Sequence, residues 1–250
     1  MTALGGDELS AVWQALARQL TAERLTPSAI LMVSAHWTTR LPMLSGAEHP
    51  ETVHDFGGFP AELSRLRYPA PGDPALARRI KQQLADAGIA TGIDAGRGLD
   101  HGAWVPLRTL FPQADIPVLQ LSVQPDRCAR HHLALGAALA SLPAENILIV
   151  ASGHLTHNLM AYMRNDLAAK TDAASFRDHI HANIINGDIE SLVDWPHTAP
   201  GAASAHPTPE HFLPLFVALG AAGPQYRAEW LGGGWIGEVL AADNYRFEAR

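Results

Sequence analysis

The sequence predicts an α/β fold: a single domain with a largely parallel or mixed central sheet flanked by helices. Two patterns carry this prediction. Short apolar runs, typical of buried parallel strands, alternate along the chain with longer segments in which apolar residues recur at helical spacing. Glycine, proline and other turn formers separate these segments. A chain of 250 residues fits one large domain of this class.

The first part of the chain contains a predicted helix, a strand and a second helix. Residues 7–20 are predicted as an amphipathic helix, because their apolar residues recur at helical spacing. The run 29–33 is continuously apolar and delivers His36 at its C-terminal end. Residues 73–87 follow a Pro-Gly turn and place Pro74 in the first turn of a helix.

The rest of the chain repeats this alternation. Its predicted elements are a short helix at 103–111, strands at 117–123 and 146–151, helices at 128–141, 173–186 and 209–220, and a Pro/Gly/Ala-rich loop at 196–208. The strand at 146–151 leads to His154 and His157. The tail from Tyr226 to Phe247 is predicted as two strands around a Gly-Gly-Gly turn.

Composition excludes several classes of protein. A hydrophobic content of 47% with 17% charged residues is typical of a globular protein. The formal net charge of −7 argues against a nucleic-acid partner. Because Cys128 is the only cysteine, any metal must take nitrogen and oxygen ligands. The chain lacks an apolar run of the roughly 18 residues that a membrane span needs, and it lacks a signal-peptide pattern, so we expect a cytoplasmic protein without a membrane partner.

Histidines occur in short tracts of small and turn-forming residues near the ends of predicted strands. Imidazole is the commonest metal ligand in proteins, and it titrates near neutral pH. Open α/β sheets bind ligands beyond the carboxyl ends of their strands. Because His36 and His157 both fall at such ends, we expect them to contribute to one site.

Each candidate histidine also has a structural interpretation. In that interpretation His36 caps or packs in the core, His154 packs or forms a hydrogen bond, and His211 caps the predicted helix in whose first turn it lies. His54 and His101 are either turn residues or residues that contact a substrate. For the remaining histidines, on predicted surface helices or loops, the structural interpretation is preferred: His49, His131, His132, His179, His181, His197 and His206.

Several tracts match a known family in their order and spacing. They are Ser34-Ala35-His36-Trp37, His54 through Pro60, Tyr68 through Gly72, Asp100-His101-Gly102, Asp115 through Ser122, Ala151-Ser152-Gly153, His157-Asn158-Leu159 and Pro207 through Leu215. On these tracts the chain resembles the 4,5-DOPA dioxygenase extradiol family, a branch of the class III extradiol ring-cleavage dioxygenases in the LigB-like superfamily. The resemblance runs nearly end to end.

The resemblance implies an aromatic ring-cleaving enzyme and a role for each candidate residue. It implies that His36 is a metal ligand and that His211 completes the histidine set of the metal. His157 lies at the metal centre, either as a ligand or as the base that takes a proton from a catechol. His101 is implied as a catalytic residue that also contacts substrate oxygens, and His54 as a second substrate contact.

The implied substrates are a DOPA-like catechol and dioxygen. Non-haem Fe(II) is the implied active metal, because this chemistry needs open coordination positions and a redox-active ion. Neutral histidines also bind zinc readily, so we expect Zn(II) as a metal that the purified protein carries. Two alternatives stay open: a zinc-dependent hydrolase, in which the same histidines activate water, and a catalytically inactive binding homologue. The sequence leaves the individual catechol and the oligomeric state open.

The beginning of the chain departs from the family pattern. Members open with a strand that ends in a G-H-G-S-P-M motif, whose histidine is another metal ligand. This chain starts with Met1-Thr2-Ala3-Leu4, which resembles the residues directly after that motif. We expect a start codon upstream of Met1, so that residues 1–250 form a catalytic domain whose first strand is missing from the sequence. A natural truncation is the alternative, and it favours the binding homologue.

Overall fold

The computed structural model describes residues 8–23, 26–57 and 61–249. Two parts of the sequence-based hypotheses therefore lie outside the described residues: the starting segment Met1-Thr2-Ala3-Leu4, and Gly58-Phe59-Pro60 of the tract that follows His54.

The chain divides into two compact units. The first unit comprises Met1–Gln124 and Ser141–Ser152, and the second comprises Pro125–Ala140 and Gly153–Arg250. The assignment of the whole chain to one catalytic domain that lacks its first strand stays a prediction.

The described residues of the first unit form a five-stranded sheet with three α-helices. These elements are α1 Glu8–Ala22, β1 Ala29–Thr38, β2 Met43–Ser45, α2 Pro74–Asp86, β3 Gly92–Asp94, α3 His101–Leu110, β4 Val118–Val123 and β5 Ile147–Ser152. The strand order is β3-β2-β4-β1-β5. Because β1 runs parallel to β4 and β5, whereas β2 runs antiparallel to β4, the sheet is mixed.

The central strands form where the sequence is continuously apolar. Every residue of β4 is buried, as is β1 from Ala29 to Ala35. On one face of the sheet, Ile30 and Met32 join a core cluster with Trp104 of α3. Helix α2 packs over β2 and β3, at the β3 edge of the sheet. A mixed sheet flanked by helices confirms the predicted α/β fold class.

Strand β1 is longer than the sequence predicts. The apolar run ends at Val33, but pairing continues from Ser34, opposite Ser152 of β5, to Thr38, opposite Val123 of β4. The register along β4 shifts between Val33 and Thr38. His36 therefore lies inside the irregular end of β1 and not after it.

The second unit is built mainly from helices. Its described elements are α4 Ala129–Ala137, α5 Leu159–Arg164, α6 Leu167–Asn186, α7 Ile189–Val193, α8 Trp195–Thr198, α9 Ala202–Ala205, α10 Leu213–Ala222, β6 Arg227–Gly232, β7 Trp235–Ile236, β8 Leu240–Ala241 and β9 Asn244–Glu248. Strands β6 and β9 pair antiparallel, as do β7 and β8. The core cluster of this unit includes the aromatic side chains of Phe176, Trp195, Phe212 and Phe216.

Several boundaries in the second unit differ from the prediction. Helix α6 begins six residues early, because Asp166 accepts hydrogen bonds from the first free backbone N–H groups and caps it. The predicted loop at 196–208 contains the short helices α8 and α9. Helix α10 begins at Leu213 with Pro214 in its first turn, so His211 lies in the turn before the helix and not within it.

Two histidines expected on the surface are buried. His132 on α4 is 0% exposed, and His206 after α9 is 4% exposed. Each ring finds a backbone carbonyl partner: the Nδ1 of His132 lies 3.1 Å from the oxygen of Cys128, and the Nε2 of His206 lies 2.7 Å from the oxygen of Leu155. The surface prediction was wrong for both residues, because a carbonyl partner lets a neutral imidazole be buried.

The burial of His132 predicts a pH-dependent stability. Burial lowers the pKa of this side chain from 6.5 to about 4. Between these values an unfolded chain binds a proton that the folded chain does not, so the contribution is fully present above pH 6.5 and is lost as the pH falls toward 4. We expect wild type to lose about 2–3 kcal/mol more unfolding free energy over this range than His132→Leu, measured by urea unfolding. The exposed-site variant His49→Leu should follow the wild-type curve. Parallel curves for wild type and His132→Leu would contradict the prediction.

Candidate metal and catalytic site

The first unit brings together His36, Asp55 and His101, which we call the Asp–His cluster. The ring centroids of His36 and His101 are 3.8 Å apart. The Nδ1 of His101 lies 2.9 Å from an Asp55 carboxylate oxygen. One possible ligand atom from each of the three residues lies within 4.8 Å of the others. The structure thus joins two predicted site residues to a carboxylate that the sequence did not single out.

A buried carboxylate places His101 at the start of α3. Asp100 is fully buried, and its side chain accepts a hydrogen bond from the backbone N–H of Ala103, which caps the helix. The same carboxylate accepts hydrogen bonds from Ser34 Oγ at 2.7 Å, Gln120 Nε2 at 2.7 Å and Arg97 Nη2 at 2.6 Å. A buried charge with this many donors is well satisfied, and it ties the start of α3 to β1 and β4.

Gly102 permits this close approach. A Cβ added at Gly102 would overlap Ser34 Oγ and would lie 3.0 Å from Cδ2 of His36. The first turn of α3 can therefore pack on the end of β1 only where the residue after His101 has no side chain.

Asp55 fixes the orientation and tautomer of His101. Burial raises the pKa of the Asp55 carboxyl, but hydrogen bonds from the His101 ring and backbone N–H outweigh it and lower the pKa to about 2. The carboxylate is therefore ionised at neutral pH and accepts the proton on Nδ1 of His101. In the neutral ring, Nε2 of His101 then carries the lone pair.

An aromatic wall connects the two predicted substrate contacts. Phe56 lies 5.4 Å from His101, edge to face, and 5.8 Å from His54. The Nε2–H of His54 donates to the carbonyl of Leu66 at 3.0 Å. The ring centroids of Trp104 and His54 are 5.6 Å apart, and the Nε1–H of Trp104 donates to the carbonyl of Val53. Flat apolar rings beside hydrogen-bonding imidazoles can contact an aromatic substrate.

The second unit brings together His154, His157 and His211, which we call the imidazole cluster. The rings of His157 and His211 stack with centroids 3.4 Å apart, and the ring of His154 lies 5.4 and 5.6 Å from them. One ring nitrogen from each residue lies within 4.8 Å of the others. His211 is 6% exposed. The structure thus brings His157 and His211 into contact.

Backbone contacts hold this cluster. A Cβ added at Gly153 would overlap the backbone oxygen of His211. That oxygen instead accepts a hydrogen bond of 2.9 Å from the backbone N–H of His154. The N–H of His157 donates to the carbonyl of Ala205, also at 2.9 Å. The glycine in Ser152-Gly153-His154 is thus needed to let two distant segments touch.

The residues on either side of His157 fix its position. The hydroxyl of Thr156 donates to the Val239 carbonyl at 2.7 Å. Asn158 caps α5, because its Oδ1 accepts from the N–H of Ala161, and its Nδ2 donates to the Ser204 carbonyl at 2.7 Å. The predicted turn into a helix at Asn158 is confirmed.

The electrostatics of the imidazole cluster suit a divalent metal. Burial lowers the pKa of His157, while the nearby Glu210 carboxylate raises it to a smaller extent. A neutral imidazole offers a lone pair either to a metal or to a proton. Three imidazole nitrogens close together form a donor set of the kind that zinc and iron(II) accept, so the residues fit the implied metal.

The structure divides the predicted site residues between the two units. It groups His157 with His211 in one unit, and His36 with His101 in the other, where Phe56 links His101 to His54. The ligand role of His36 stays a prediction. The sequence did not assign Asp55 a role, because its partner His101 lies 46 residues away. His154 stood in a tract that the sequence did indicate.

Comparison with known proteins decides the family. The family model described as the catalytic LigB subunit of aromatic ring-opening dioxygenase matches residues 6–248. The chain belongs to this family. Among similar proteins, the 4,5-DOPA dioxygenase extradiol of Beta vulgaris is 44% identical over 222 residues, which are 88% of this chain and 83% of that protein. The protein of the same description from Escherichia coli strain K12 is 42% identical over 84% of this chain and 76% of its own length.

A solved structure agrees with this LigB-family assignment. The crystal structure of the uncharacterized protein JW3007 from Escherichia coli K12 superposes with a TM-score of 0.75 at 33% identity, covering 93% of this chain and 89% of that one. The predicted family and the predicted class of enzyme, an extradiol dioxygenase, are confirmed. Within the described residues, the helices are all too short or too polar to cross a membrane.

Gly153 offers a test of how the cluster is held. We expect Gly153→Ala to lose about 1–3 kcal/mol of stability and to bind metal more weakly, because the new methyl group must displace the His211 backbone. Thermal unfolding and metal content after dialysis would measure both effects. Gly57→Ala is the matched control, since an added Cβ there meets nothing within 4 Å. Wild-type stability and metal content in Gly153→Ala would contradict the expectation.

Proposed function

We propose that this LigB-family protein opens the aromatic ring of a DOPA-like catechol by extradiol cleavage with dioxygen. The observation that carries the proposal is the imidazole cluster, in which three ring nitrogens lie close enough together for His211 to bind an ion and for His157 to act as the base beside it. The names of the relatives from Beta vulgaris and Escherichia coli, both 4,5-DOPA dioxygenase extradiol, support the choice of substrate class.

The proposed metal is non-haem iron(II), with zinc(II) as an ion that the purified protein also carries. We propose His36 and His211 as metal ligands and His157 as a residue of the metal centre. Bound iron(II) would supply positive charge that favours the ionised catechol, together with the redox chemistry that dioxygen requires. Zinc(II) would supply charge alone.

The side chains have distinct proposed roles toward the substrate. His157 is neutral at working pH, because burial lowers its pKa, and its free ring nitrogen accepts a proton from a catechol hydroxyl. His101 donates its Nδ1–H to Asp55, so its Nε2 accepts a hydrogen bond from a substrate oxygen. His54 and Phe56 contact the substrate ring or its substituent and exclude water from it.

The proposed partners are small molecules: a catechol and dioxygen. The net charge of −7 supports this class of partner over a nucleic acid. A cytoplasmic location is part of the same proposal.

Anaerobic reconstitution with iron(II) tests the proposal. Metal-free protein would be loaded with iron(II), mixed with DOPA, caffeate or protocatechuate, and then exposed to oxygen. We expect dioxygen uptake with at least one catechol and the appearance of a yellow ring-opened product. Protein loaded with zinc(II) is the matched control, since it should give neither. Full iron loading without oxygen uptake from any catechol would overturn the proposal.

A zinc-dependent hydrolase is the second candidate, because the same neutral imidazoles would bind zinc and activate water. Ester hydrolysis by the zinc-loaded protein, lost in His211→Ala, would favour it. Ring opening by the iron-loaded protein alone would exclude it.

A further inference from the structure

A buried histidine outside the imidazole cluster joins the two chain segments that contain the histidines of that cluster. The Nε2 of His206 lies 2.7 Å from the backbone oxygen of Leu155. Because a carbonyl oxygen only accepts hydrogen bonds, Nε2 must carry the proton and donate it. The Nδ1 of His206 is buried and has no hydrogen-bond partner in the described part of the chain. The ring is thus held as one neutral tautomer.

Aromatic side chains fix the ring of His206 in place. Phe212 stacks on it with ring centroids 5.0 Å apart. Phe176 and Trp195 make T-shaped contacts with it, with ring centroids 5.4 and 5.7 Å away. Burial lowers the pKa of His206 to about 4, so the ring stays neutral and the hydrogen bond persists across physiological pH. The hydrogen bond from His206 to Leu155 is therefore a constant feature of the fold over this pH range.

The bond connects two parts of the imidazole cluster. Leu155 lies between His154 and His157, while His206 lies five residues before His211. Two backbone hydrogen bonds join the same segments, from the N–H of His154 to His211 and from the N–H of His157 to Ala205. The bond from His206 comes from a side chain, so mutation can remove it without changing the backbone.

We propose that His206 is a positioning residue for the metal site. Its Nε2–H holds the Leu155 carbonyl so that the rings of His154 and His157 stay beside His211. This inference rests on the proposed function, in that the imidazole cluster binds a divalent metal. Partners that orient metal ligands typically change metal affinity by about 10–100-fold when they are removed.

Two variants separate the hydrogen bond from the packing of the ring. His206→Phe keeps an aromatic ring against Phe212 but removes the donor, whereas His206→Gln keeps an N–H donor but loses the ring. Chelator-stripped protein would be titrated with Co(II) and followed by visible absorbance, which reports affinity and ligand geometry without turnover. We expect His206→Phe to bind Co(II) about tenfold or more weakly with an altered spectrum, and His206→Gln to stay within about threefold of wild type.

His132→Phe is the matched control. His132 is also buried and also hydrogen-bonded to a carbonyl, but its partner is Cys128 of its own helix turn. We expect this variant to lose thermal stability and to keep wild-type Co(II) affinity and spectrum. A folded His206→Phe with wild-type Co(II) binding, or an equal loss in His132→Phe, would overturn the positioning role. If wild type itself bound no Co(II), the proposed metal function would fail first and this role with it.

Discussion

Replacing His211 with alanine is expected to remove the bound metal and, with it, ring-opening activity. His211 is nearly fully buried, stacks on His157, and has its ring centroid 5.6 Å from that of His154. A water molecule at the surface therefore cannot take the place of its ring nitrogen as a ligand. Loss of a residue that hydrogen-bonds to a metal ligand typically lowers metal affinity by about 10–100-fold. Because His211 is itself a proposed ligand, we expect its loss to lower the affinity by more than about 100-fold. Metal content after dialysis and Co(II) titration would measure it.

The control for His211→Ala is a histidine replacement away from the cluster. His49→Ala changes an exposed residue and should keep both metal and activity. His211→Ala should stay folded, since the truncated ring leaves the backbone bond from His154 in place. A folded His211→Ala that keeps wild-type metal content would show that the imidazole cluster does not bind the metal.

Replacing His157 with alanine is expected to abolish most turnover while leaving most of the metal. If its neutral ring takes a proton from the catechol, its loss should lower turnover by roughly 10²–10⁴-fold. His36→Ala, at a proposed ligand, should instead lose metal and turnover together. Steady-state oxygen uptake and elemental analysis on the same samples separate the two effects. Equal metal loss in His157→Ala and His36→Ala would show that His157 is a ligand rather than the proton acceptor.

Those parts of the fold that depend on local pattern could be predicted from the sequence. The apolar runs that form β1 and β4 were recognisable because both faces of these central strands are buried. The turn from His157 into α5 was recognisable because asparagine is a common helix cap. The start of α10 was predicted at residue 209, whereas the helix begins at Leu213 with Pro214 in its first turn.

The contacts that the sequence did not reveal are long-range hydrogen bonds between single residues. Ser34 reaches Asp100 across 66 positions, Asp55 reaches His101 across 46, and His206 reaches Leu155 across 51. No periodicity marks such pairs, because each depends on how the elements pack after they form. For the same reason His206 was predicted on the surface: the sequence shows that the residue is polar, but it does not indicate which carbonyl group it would bond to.

Labelled dioxygen tests the central claim most directly. Iron-loaded wild type and His211→Ala would be given the same catechol under oxygen-18 gas, and the product would be analysed by mass. We predict that wild type consumes one dioxygen per catechol and places oxygen-18 in the ring-opened carboxylate, whereas His211→Ala forms no labelled product. Labelled product formed equally well by His211→Ala, or catechol loss without any label in wild type, would contradict the account.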